Sequence, residues 1–418
     1  MKLVGEIKLP GDKSITHRAL MINSISKGKA KISNYLNSED TNATINILQT
    51  LGVSINKNKD EIWITGKGFS GLRKPSTMLD CKNSGTSARL FMGLLSGLDF
   101  ETILVGDQSL SKRPMFRVCK HLLSLNSNIS LSKENFLPAY IFPSKIKASE
   151  VFLDISSAQV KSAVMLTALK SNKVTVIHEL KKSRNHTEIL LKYLGCDIET
   201  KGLTIKISGK KELVARDIKI PGDLSSAAFF IVAALIIPKS KIIIKDCSLN
   251  PTRTGILTVL KQICAKYKIL NIKSSEYEVY GDILIEYTNN LQPFIINNSL
   301  IPLLIDEIPI LALLATQISG VSYIKDVNEL RIKETDRLKA IKVTLSSLGC
   351  DIIDVEDGLV IKGKTKLKPN IVDSYNDHRI SMMLKIAQLI CEEIEIKNDK
   401  CDSVSYPGFE KDLNKLLK

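Results

Sequence analysis

KLPGDKS at residues 8–14 and KIPGDLS at residues 219–225 are nearly the same string, placed about half a chain apart in a protein of 418 residues. Each string sets small and polar residues directly before an apolar stretch of helical length, a pattern that predicts a helix start. Four further starts of this kind are NSGTS at 83–87, SSAQ at 156–159, DEIP at 306–309 and NDHR at 376–379. The six starts recur about every 70 residues, and such a period indicates a duplicated supersecondary unit.

A second set of predicted helices lies between these starts, and its clearest members all end in Leu-Gly. They occupy residues 38–55, 183–198 and 333–352, with weaker copies at 113–131 and 252–270. Each clear member begins with a Ser, Thr or Asp cap, and its final Gly suits the left-handed conformation that ends many helices. A short strand, a turn and another strand follow. The unit therefore reads helix, strand, helix, strand, strand, which predicts a mixed α/β (α+β) fold of six units, three in each of two domains.

The two near-identical strings also suggest where the domains meet. If the chain crosses between domains at both strings, the N-terminal strand belongs with the C-terminal half of the chain. This interpretation predicts a discontinuous domain of residues 1–11 with 222–418 and an inserted domain of residues 12–221. A single cut near residue 222, with residues 1–221 together, remains the alternative.

Composition places the chain among ordinary globular proteins. Hydrophobic residues make up 44% and charged residues 25%, and no apolar run approaches the roughly 18 residues that span a bilayer. The first motif begins ten residues in, which leaves no room for a cleavable targeting peptide. The eight cysteines are scattered singly with no C-x-x-C pair, so neither a zinc site nor a disulfide framework is indicated. We therefore expect a cytoplasmic protein that does not contact a membrane.

The formal net charge of +15 has two interpretations. It indicates either an anionic partner or a solvated lysine-rich surface. A nucleic-acid partner is not favoured, because no basic run is interleaved with aromatic residues and only 5% of residues are aromatic. A small polyanion fits better, because several helix N-termini with unpaired N–H groups would make a site for one.

The residues at the first helix start have the chemistry that an anion requires. Lys13, Ser14 and Arg18 combine an ammonium, a hydroxyl and a guanidinium, which bind phosphate and carboxylate well. The plain alternative is a capped surface helix. The motifs SSAQ and KETDR and the single His378 are equally ambiguous when each is taken alone.

The order of the motifs along the chain resolves this ambiguity. LPGDKSITHR, NSGTSAR, GDQSLSKRPM, ISSAQVKSA, IDEIP, ELRIKETDRL, DHRISM and SYPGF follow one another as they do in the enolpyruvyl transferase family, which this chain resembles over nearly its whole length. The resemblance implies a two-domain inside-out α/β barrel that closes like a clam around its substrates. It also implies a monomer.

The branch of the family that the chain resembles implies a specific reaction. The enolpyruvyl group of phosphoenolpyruvate would pass to the 5-hydroxyl of shikimate 3-phosphate by addition and elimination, with release of inorganic phosphate. The reaction belongs to aromatic amino acid biosynthesis. The resemblance implies no metal and no organic cofactor, because the enol phosphate is already activated.

The resemblance also carries roles onto residues of this chain. The residues implied to contact shikimate 3-phosphate are Lys13, Ser14, Arg18, Ser157, Ala158, Gln159, Arg184, Asp306 and Lys333. Those implied to hold phosphoenolpyruvate are Lys13, Gly85, Arg113, Gln159, Arg337 and Arg379. Asp306 is the implied base and Glu334 the implied proton donor, with Lys13 assisting either proton movement. Further candidates are Asn83, Thr86 and His378.

The chain departs from the better-known bacterial pattern at several positions, as the second sequence class of the family does. Ala158 replaces a second Ser, Glu329 replaces Asn, and contacts at positions 186, 329 and 404 are not carried over. The nearest rival is the sister enzyme that acts on a UDP-linked amino sugar. That enzyme uses a cysteine on the loop corresponding to residues 106–112, where this chain has none.

Overall fold

The chain crosses twice between two structural units in the computed structural model, which describes residues 1–58, 60–133 and 135–418. The discontinuous unit consists of Met1–Pro10 and Pro221–Lys418, and the inserted unit is Gly11–Ile220. Both crossings fall within the near-identical strings from which the sequence analysis started.

The strands and helices alternate along the chain in a regular order. The strands are β1 (Val4–Lys8), β2 (Lys27–Ser33), β3 (Ser54–Lys57), β4 (Glu61–Lys67), β5 (Leu79–Asp80), β6 (Thr102–Val105), β7 (Asn128–Ser132), β8 (Phe136–Phe142), β9 (Glu150–Phe152), β10 (Thr175–His178), β11 (Asp197–Lys201), β12 (Thr204–Ser208), β13 (Ile218–Lys219), β14 (Lys241–Ser248), β15 (Tyr267–Ser274), β16 (Val279–Glu286), β17 (Ile295–Ile296), β18 (Gly320–Ile324), β19 (Asp351–Val355), β20 (Gly358–Gly363), β21 (Ile371–Asp373) and β22 (Glu395–Lys397). The helices are α1 (Lys13–Ser24), α2 (Glu39–Thr50), α3 (Gly85–Leu95), α4 (Phe116–Leu123), α5 (Ala158–Ala168), α6 (His186–Tyr193), α7 (Leu224–Ile236), α8 (Gly255–Gln262), α9 (Ile301–Leu304), α10 (Ile308–Thr316), α11 (Arg337–Ser347), α12 (His378–Gln388) and α13 (Phe409–Leu416).

Three sheets of one design build the inserted unit. Their strand orders are β13-β2-β4-β3, β5-β6-β8-β7 and β9-β10-β12-β11. In each sheet the first two strands are parallel and the remaining pairs are antiparallel. Each of the three repeats in the inserted unit therefore has an additional first strand (β13, β5 or β9) that the sequence analysis did not predict. These strands are short, which leaves little periodicity to detect.

The discontinuous unit repeats the same design twice and then departs from it. Its sheets are β1-β14-β16-β15, β17-β18-β20-β19 and the two-stranded β21-β22. The sixth repeat consists of β21, α12, β22 and α13, so α13 takes the place of the second helix and the closing pair of strands is absent from the described residues. Phe409, Leu413 and Leu416 are buried at helical spacing, and Gly408 before them has φ of +93°. That periodicity selects a helix over a strand.

The leading strands are exchanged across the two crossings. β1 precedes α1 in the chain but pairs in parallel with β14 of the discontinuous unit. β13 precedes α7 but pairs in parallel with β2 of the inserted unit. Each unit thus completes its first sheet with a strand from the far side of a crossing.

Helices form the core of the discontinuous unit, and the sheets surround them. Every residue of α7 from Leu224 to Leu235 is buried, and α7 packs with α10 and α12. Phe230 lies against Tyr406 and Phe409. A helix that is buried on all sides belongs to a core, and this arrangement is the inside-out architecture that the sequence analysis expected. No helix among the described residues combines the length and the apolar character that crossing a membrane requires.

The predicted helix caps are confirmed at five of the six starts. The side chains of Asp12, Ser84, Ser157, Asp223 and Asp377 each accept a backbone N–H from the first turn. The DEIP start differs, because Asp306 lies in a 3-10 turn (Ile305–Glu307) before α10, and Pro309 occupies the first turn of that helix. The three Leu-Gly ends are also confirmed, since Gly52, Gly195 and Gly349 have φ of +86°, +93° and +90°.

Candidate active site

Lys13 opens the first helix of the inserted unit and is held by a carboxylate. Asp12 caps α1 by accepting the N–H of Ile15 at 2.9 Å. The Nζ of Lys13 lies 2.9 Å from Oδ2 of Asp40, which belongs to the first turn of α2. The ammonium thus stands at a helix N-terminus, where the helix dipole already favours an anion.

Arg18, one turn further along α1, ties together three helices. Its Nε donates to Oγ1 of Thr187 at 2.7 Å, and its Nη2 donates to Oγ of Ser162 at 2.8 Å. Its Nη1 donates to the carbonyl oxygen of Ser14 at 3.0 Å. The guanidinium is 3% exposed. Arg18 therefore holds the N-terminal turns of α1, α5 and α6 next to one another.

A buried chain of hydroxyl groups connects α1 to α3 behind these residues. Nδ1 of His17 lies 2.8 Å from Oγ1 of Thr44, which lies 2.8 Å from Oγ of Ser87. Ser87 in turn donates to Ser84, the cap of α3. Burial, followed by the charges of Lys13 and Arg18, holds the pKa of His17 well below its ordinary value. His17 is therefore a neutral structural hydrogen-bonding group near neutral pH.

Gln159 joins the N-termini of α3 and α5. Its Nε2 donates to Oγ1 of Thr86 at 3.0 Å, and its Oε1 accepts from Nη1 of Arg89 at 3.0 Å. Gly85 begins α3 at the same place. A Cβ added there would lie 2.6 Å from Nη1 of Arg89 and 3.4 Å from Nη1 of Arg113. The absence of a side chain at residue 85 leaves room for two guanidinium groups at one helix end.

Arg113 is positioned by the residues that precede it. Its Nη2 donates to Oδ1 of Asn83 at 2.6 Å and to Oγ of Ser109 at 3.1 Å. Nδ2 of Asn83 then donates to Oδ2 of Asp107 at 2.7 Å. Arg113 is 6% exposed. These contacts, which include one to the predicted candidate Asn83, fix its orientation.

Arg184 lies on the loop before α6, and a buried ion cluster supports that loop. Nζ of Lys161 lies 2.9 Å from Oε1 of Glu179 and 2.6 Å from Oε1 of Glu188. Glu179 accepts the N–H and the hydroxyl of Ser183, the neighbour of Arg184, at 2.9 and 2.6 Å. The cluster thereby sets the course of the chain that carries Arg184.

In the discontinuous unit, three guanidinium groups surround Asp306. Oδ1 lies 3.7 Å from Nη1 of Arg337 and 3.8 Å from Nε of Arg379. Oδ2 lies 3.9 Å from Nη1 of Arg253. The Asp306 side chain is 18% exposed while the three arginines are almost fully buried. The carboxylate of Asp306 is thus partly accessible to solvent, whereas the three arginines around it are buried.

Arg337 links Asp306 to the start of α12 and to Glu334. Its Nε donates to Oδ2 of Asp377 at 2.7 Å, and its Nη2 donates to Oε2 of Glu334 at 2.6 Å. Burial alone would lower the pKa of Arg337, but Asp377, Glu334 and Asp306 raise it above its ordinary value. Arg337 is therefore a permanent cation that holds three carboxylates.

Lys333, four residues before Arg337, is a cation whose pKa burial lowers. Burial lowers the pKa of Lys333 to about 8, although the carboxylates of Asp306 and Glu329 act in the opposite direction. Desolvation of the ammonium outweighs the two negative charges. Lys333 therefore changes its charge just above physiological pH.

The structure gathers the predicted residues within each unit. In the inserted unit, the helix starts and the loops next to them carry Lys13, Ser14, Arg18, Asn83, Gly85, Thr86, Arg113, Ser157, Ala158, Gln159 and Arg184. In the discontinuous unit, the starts of α10, α11 and α12 and the residues just before them carry Asp306, Lys333, Glu334, Arg337, His378 and Arg379. His378 is buried as the first residue of α12.

The family model for EPSP synthase (3-phosphoshikimate 1-carboxyvinyltransferase) matches residues 1–413. The chain belongs to the EPSP synthase family. Among curated relatives, the 3-phosphoshikimate 1-carboxyvinyltransferase of Bacillus cytotoxicus is 45% identical over 99% of this chain and 98% of its own length. The enzyme of the same name from Petrotoga mobilis is 48% identical over 98% of this chain and 96% of its own length.

Solved structures agree with this family assignment. EPSP synthase from Acinetobacter baumannii superposes with a TM-score of 0.87 at 34% identity, covering 99% of this chain and 96% of the other. The enolpyruvyl transferase NikO from Streptomyces tendae has a TM-score of 0.78 at 16% identity, covering 99% and 95%. The second likeness shows a shared fold only.

Three residues in these EPSP synthase family clusters received no role in the sequence analysis. Asp40 contacts Lys13, Arg89 contacts Gln159, and Arg253 faces Asp306. The sequence did hold a signal for two of them, because Asp40 and Arg253 lie at or just before the start of the second helix of their repeats, α2 and α8. Arg113, Arg184 and Lys333 also occupy such places. The second set of helix starts is therefore as informative as the first.

Proposed function

We propose that this chain transfers the enolpyruvyl group of phosphoenolpyruvate to the 5-hydroxyl of shikimate 3-phosphate and releases inorganic phosphate. The observation that carries the proposal is Asp306, a partly exposed carboxylate among buried arginines in a chain of the EPSP synthase family. A carboxylate in this setting can accept a proton, while the cations around it suit polyanionic substrates.

Each structural unit supplies a different part of this chemistry. The discontinuous unit, whose bounds lie within one residue of the domain of residues 1–11 and 222–418 expected from the sequence, contributes the carboxylates that move protons. The inserted unit, residues 12–221, contributes Lys13 and most of the groups that bind anions. The division follows from the residues present, since Asp306 and Glu334 lie in the former and the helix starts of α1, α3 and α5 lie in the latter.

Phosphoenolpyruvate carries a phosphate and a carboxylate, so it requires several cations. Arg113 is held in place by Asn83, and Arg337 by Asp377. Such fixed guanidinium groups bind oxyanions with little further loss of conformational entropy. We assign Lys13, Gly85, Arg113, Gln159, Arg337 and Arg379 to this substrate. Arg89 supports the assignment by holding Gln159.

Shikimate 3-phosphate binds to the remaining helix starts in this proposal. Unpaired N–H groups at a helix N-terminus suit its phosphate. Arg18 positions the turns of α1 and α5 through its contacts to Ser14 and Ser162. We assign Lys13, Ser14, Arg18, Ser157, Ala158, Gln159, Arg184, Asp306 and Lys333 to this substrate.

The proposed reaction is an addition followed by an elimination. In the addition, Asp306 takes the proton of the 5-hydroxyl as its oxygen attacks C2 of phosphoenolpyruvate, and Glu334 delivers a proton to the methylene carbon. In the elimination, the Glu334 carboxylate takes a proton back from the new methyl group as the bond from C2 to the phosphate oxygen breaks, and Asp306 returns its proton to the leaving phosphate, which Lys13 stabilises. The hydrogen bond from Arg337 to Glu334 favours the ionised carboxylate. Glu334 therefore acts as a donor only when bound substrate weakens that contact.

A coupled assay of phosphate release tests the proposed function directly. The protein is mixed with both substrates, and each substrate is omitted in turn as a control. We expect phosphate release only when both are present, together with the enol ether product in a mass spectrum. Release from phosphoenolpyruvate alone would indicate a phosphatase, and tight nucleic-acid binding without any release would favour the alternative reading of the +15 charge.

We also infer that the protein acts as a cytoplasmic monomer on these small anions. The contacts described above that hold Lys13, Arg113 and Arg337 all come from residues of this chain, which supports a monomer. Size-exclusion chromatography with light scattering tests the monomer. A mass near twice 46.3 kDa would contradict it.

Affinity for shikimate 3-phosphate is expected to fall above about pH 8. Only the ammonium form of Lys333 attracts the substrate phosphate, and burial lowers the pKa of Lys333 to about 8. Below that pH the KM for shikimate 3-phosphate stays constant, and above it the KM rises by up to about tenfold per pH unit. Steady-state kinetics from pH 6.5 to 9.5 measure the bend, which is the pH at which the KM for shikimate 3-phosphate begins to rise. In Lys333→Arg the bend should disappear, because a guanidinium stays charged throughout this range.

Gly85→Ala is expected to weaken phosphoenolpyruvate binding. The new Cβ would lie 2.6 Å from Nη1 of Arg89, so this guanidinium must move away from Gln159. Loss of one charge-assisted hydrogen bond at the site corresponds to about a tenfold rise in the KM for phosphoenolpyruvate. Initial-rate kinetics against each substrate test this, with a thermal melt to verify folding. An unchanged KM would show that Arg89 does not support this substrate.

A further inference from the structure

PGDLSS at residues 221–226 is the one predicted helix start to which no substrate role is assigned. Its Asp223 caps α7, and the backbone N–H of Asp223 donates to the carbonyl oxygen of Pro10 at 3.1 Å. The hydroxyl of Ser225 donates to Oε1 of Glu307. Glu307 directly follows Asp306 in the chain. This helix start therefore contacts the turn that carries the proposed base.

Arg253 completes the connection from the other side. It lies between β14 and α8 and is 2% exposed. Its Nη2 donates to Oγ of Ser225 at 2.6 Å and to Oδ1 of Asp223 at 3.2 Å. Its Nη1 lies 3.9 Å from Oδ2 of Asp306. The guanidinium is thus anchored by Ser225 of α7 and by the cap Asp223, while it faces the carboxylate of Asp306.

These contacts form a closed ring. Asp306 faces Arg253, Arg253 bonds Ser225, Ser225 bonds Glu307, and Glu307 is joined to Asp306 by a peptide bond. The ring approaches Asp306 at Oδ2, whereas Arg337 and Arg379 approach it at Oδ1. Arg253 thus faces one oxygen of the proposed base, and Arg337 and Arg379 face the other.

We propose that Arg253 is a positioning residue that holds the carboxylate of Asp306 in its reactive orientation, an inference that rests on the proposed function. Arg337 and Arg379 are assigned to phosphoenolpyruvate, so their contacts with Oδ1 are shared with the substrate. Arg253 is anchored to protein groups and keeps Oδ2 in place throughout the cycle. A displacement of about 1 Å at a reacting group can cost up to about 100-fold in rate.

The charges around Asp306 also give the proposal a signature in pH dependence. The cations that face this carboxylate are Arg253, Arg337 and Arg379, with Lys333 close enough to interact with it. Removal of one cation makes the ionised carboxylate less favourable. The acidic limb of the kcat profile should then move to higher pH, which a purely structural role would not produce.

Arg253→Met, Arg253→Lys and Ser225→Ala test the proposal in the full-length protein. We expect Arg253→Met to lower kcat at least tenfold, with KM for both substrates within about threefold and the acidic limb at higher pH. Arg253→Lys should restore the position of the limb but not all of kcat, because lysine keeps the charge without the planar fork. Ser225→Ala keeps Arg253, opens the ring and should lower kcat by a smaller factor. It remains informative if Arg253→Met does not fold.

The matched control is Arg73→Met, since Arg73 is an exposed arginine of the inserted unit. Its kcat and pH profile should equal those of the unchanged protein. Folded Arg253 variants with an unchanged kcat and acidic limb would overturn the proposal, and so would a rise in KM alone. Crystal structures of Arg253→Lys and Ser225→Ala give a readout that does not depend on activity. We expect a reoriented Asp306 carboxylate, and an Asp306 that stays in place would contradict the proposal even if the proposed reaction itself were absent.

Discussion

Asp306→Ala is expected to lower kcat by at least about 100-fold, the usual scale for the loss of a general base. Asp306 is partly exposed and lies within 4 Å of three buried guanidinium groups, a setting in which its carboxylate can accept a proton. Asp306→Asn keeps the shape of the side chain but cannot accept the hydroxyl proton, so it should lose a similar factor. The KM for phosphoenolpyruvate should change far less, because Arg337 and Arg379 remain.

Phosphate release at saturating substrates measures this effect. Asp99→Asn provides the matched control, since Asp99 is an exposed residue of the inserted unit, and its kcat should equal that of the unchanged protein. Turnover near the normal rate in a folded Asp306 variant would assign the base to another group. Chemical denaturation of the variants separates lost chemistry from lost folding.

Lys161→Met is expected to lower the free energy of unfolding by about 3–5 kcal/mol. Lys161 is fully buried, and its ammonium contacts Glu179 at 2.9 Å and Glu188 at 2.6 Å. Without the ammonium, two buried carboxylates would face each other, although Nζ of Lys182 would still lie 4.0 Å from Oε2 of Glu179. Because Glu179 also holds Ser183 beside Arg184, the variant should in addition raise the KM for shikimate 3-phosphate.

Urea denaturation followed by circular dichroism measures the stability loss. Lys173→Met, at an exposed lysine of the same unit, should change the free energy by less than about 0.5 kcal/mol. The triple variant Lys161→Met, Glu179→Gln, Glu188→Gln should recover a large part of the loss, since neutral groups are cheaper to bury than unpaired charges. A loss below about 1 kcal/mol in Lys161→Met would show that water reaches the cluster.

The local features of the fold could be predicted from the sequence because they depend on neighbouring residues. Asp12, Ser84 and Ser157 cap helices within three residues of themselves, and Gly52 ends α2 in the left-handed conformation. Such signals survive in any single sequence. The N-terminal strand was predicted, but the leading strands of two or three residues, such as β5, β9 and β13, could not be, because so few residues carry no period and their pairing is decided by partners elsewhere in the chain.

In the candidate active site, too, local features could be predicted from the sequence and long-range contacts could not. Residues within motifs, such as Lys13 and Arg337, were found through the family resemblance. Asp40 and Arg253 received no role because, although both stand near the start of a second helix, their contacts to Lys13 and Asp306 join residues 27 and 53 positions apart. The pKa of Lys333 depends on desolvation by its surroundings, which no sequence pattern reports.

The exchange of leading strands has a consequence for synthesis on the ribosome. Gly11–Ile220 is continuous and can fold as soon as it has emerged. β1 cannot pair at that time, because Val4 aligns with Lys241, which is made 237 residues later (241 − 4). At roughly 5–20 residues per second, this delay lasts roughly 10 to 50 s. β1 is therefore made before the inserted unit but finds its place after it, and its unpaired edge is exposed to aggregation or chaperone binding for that whole interval.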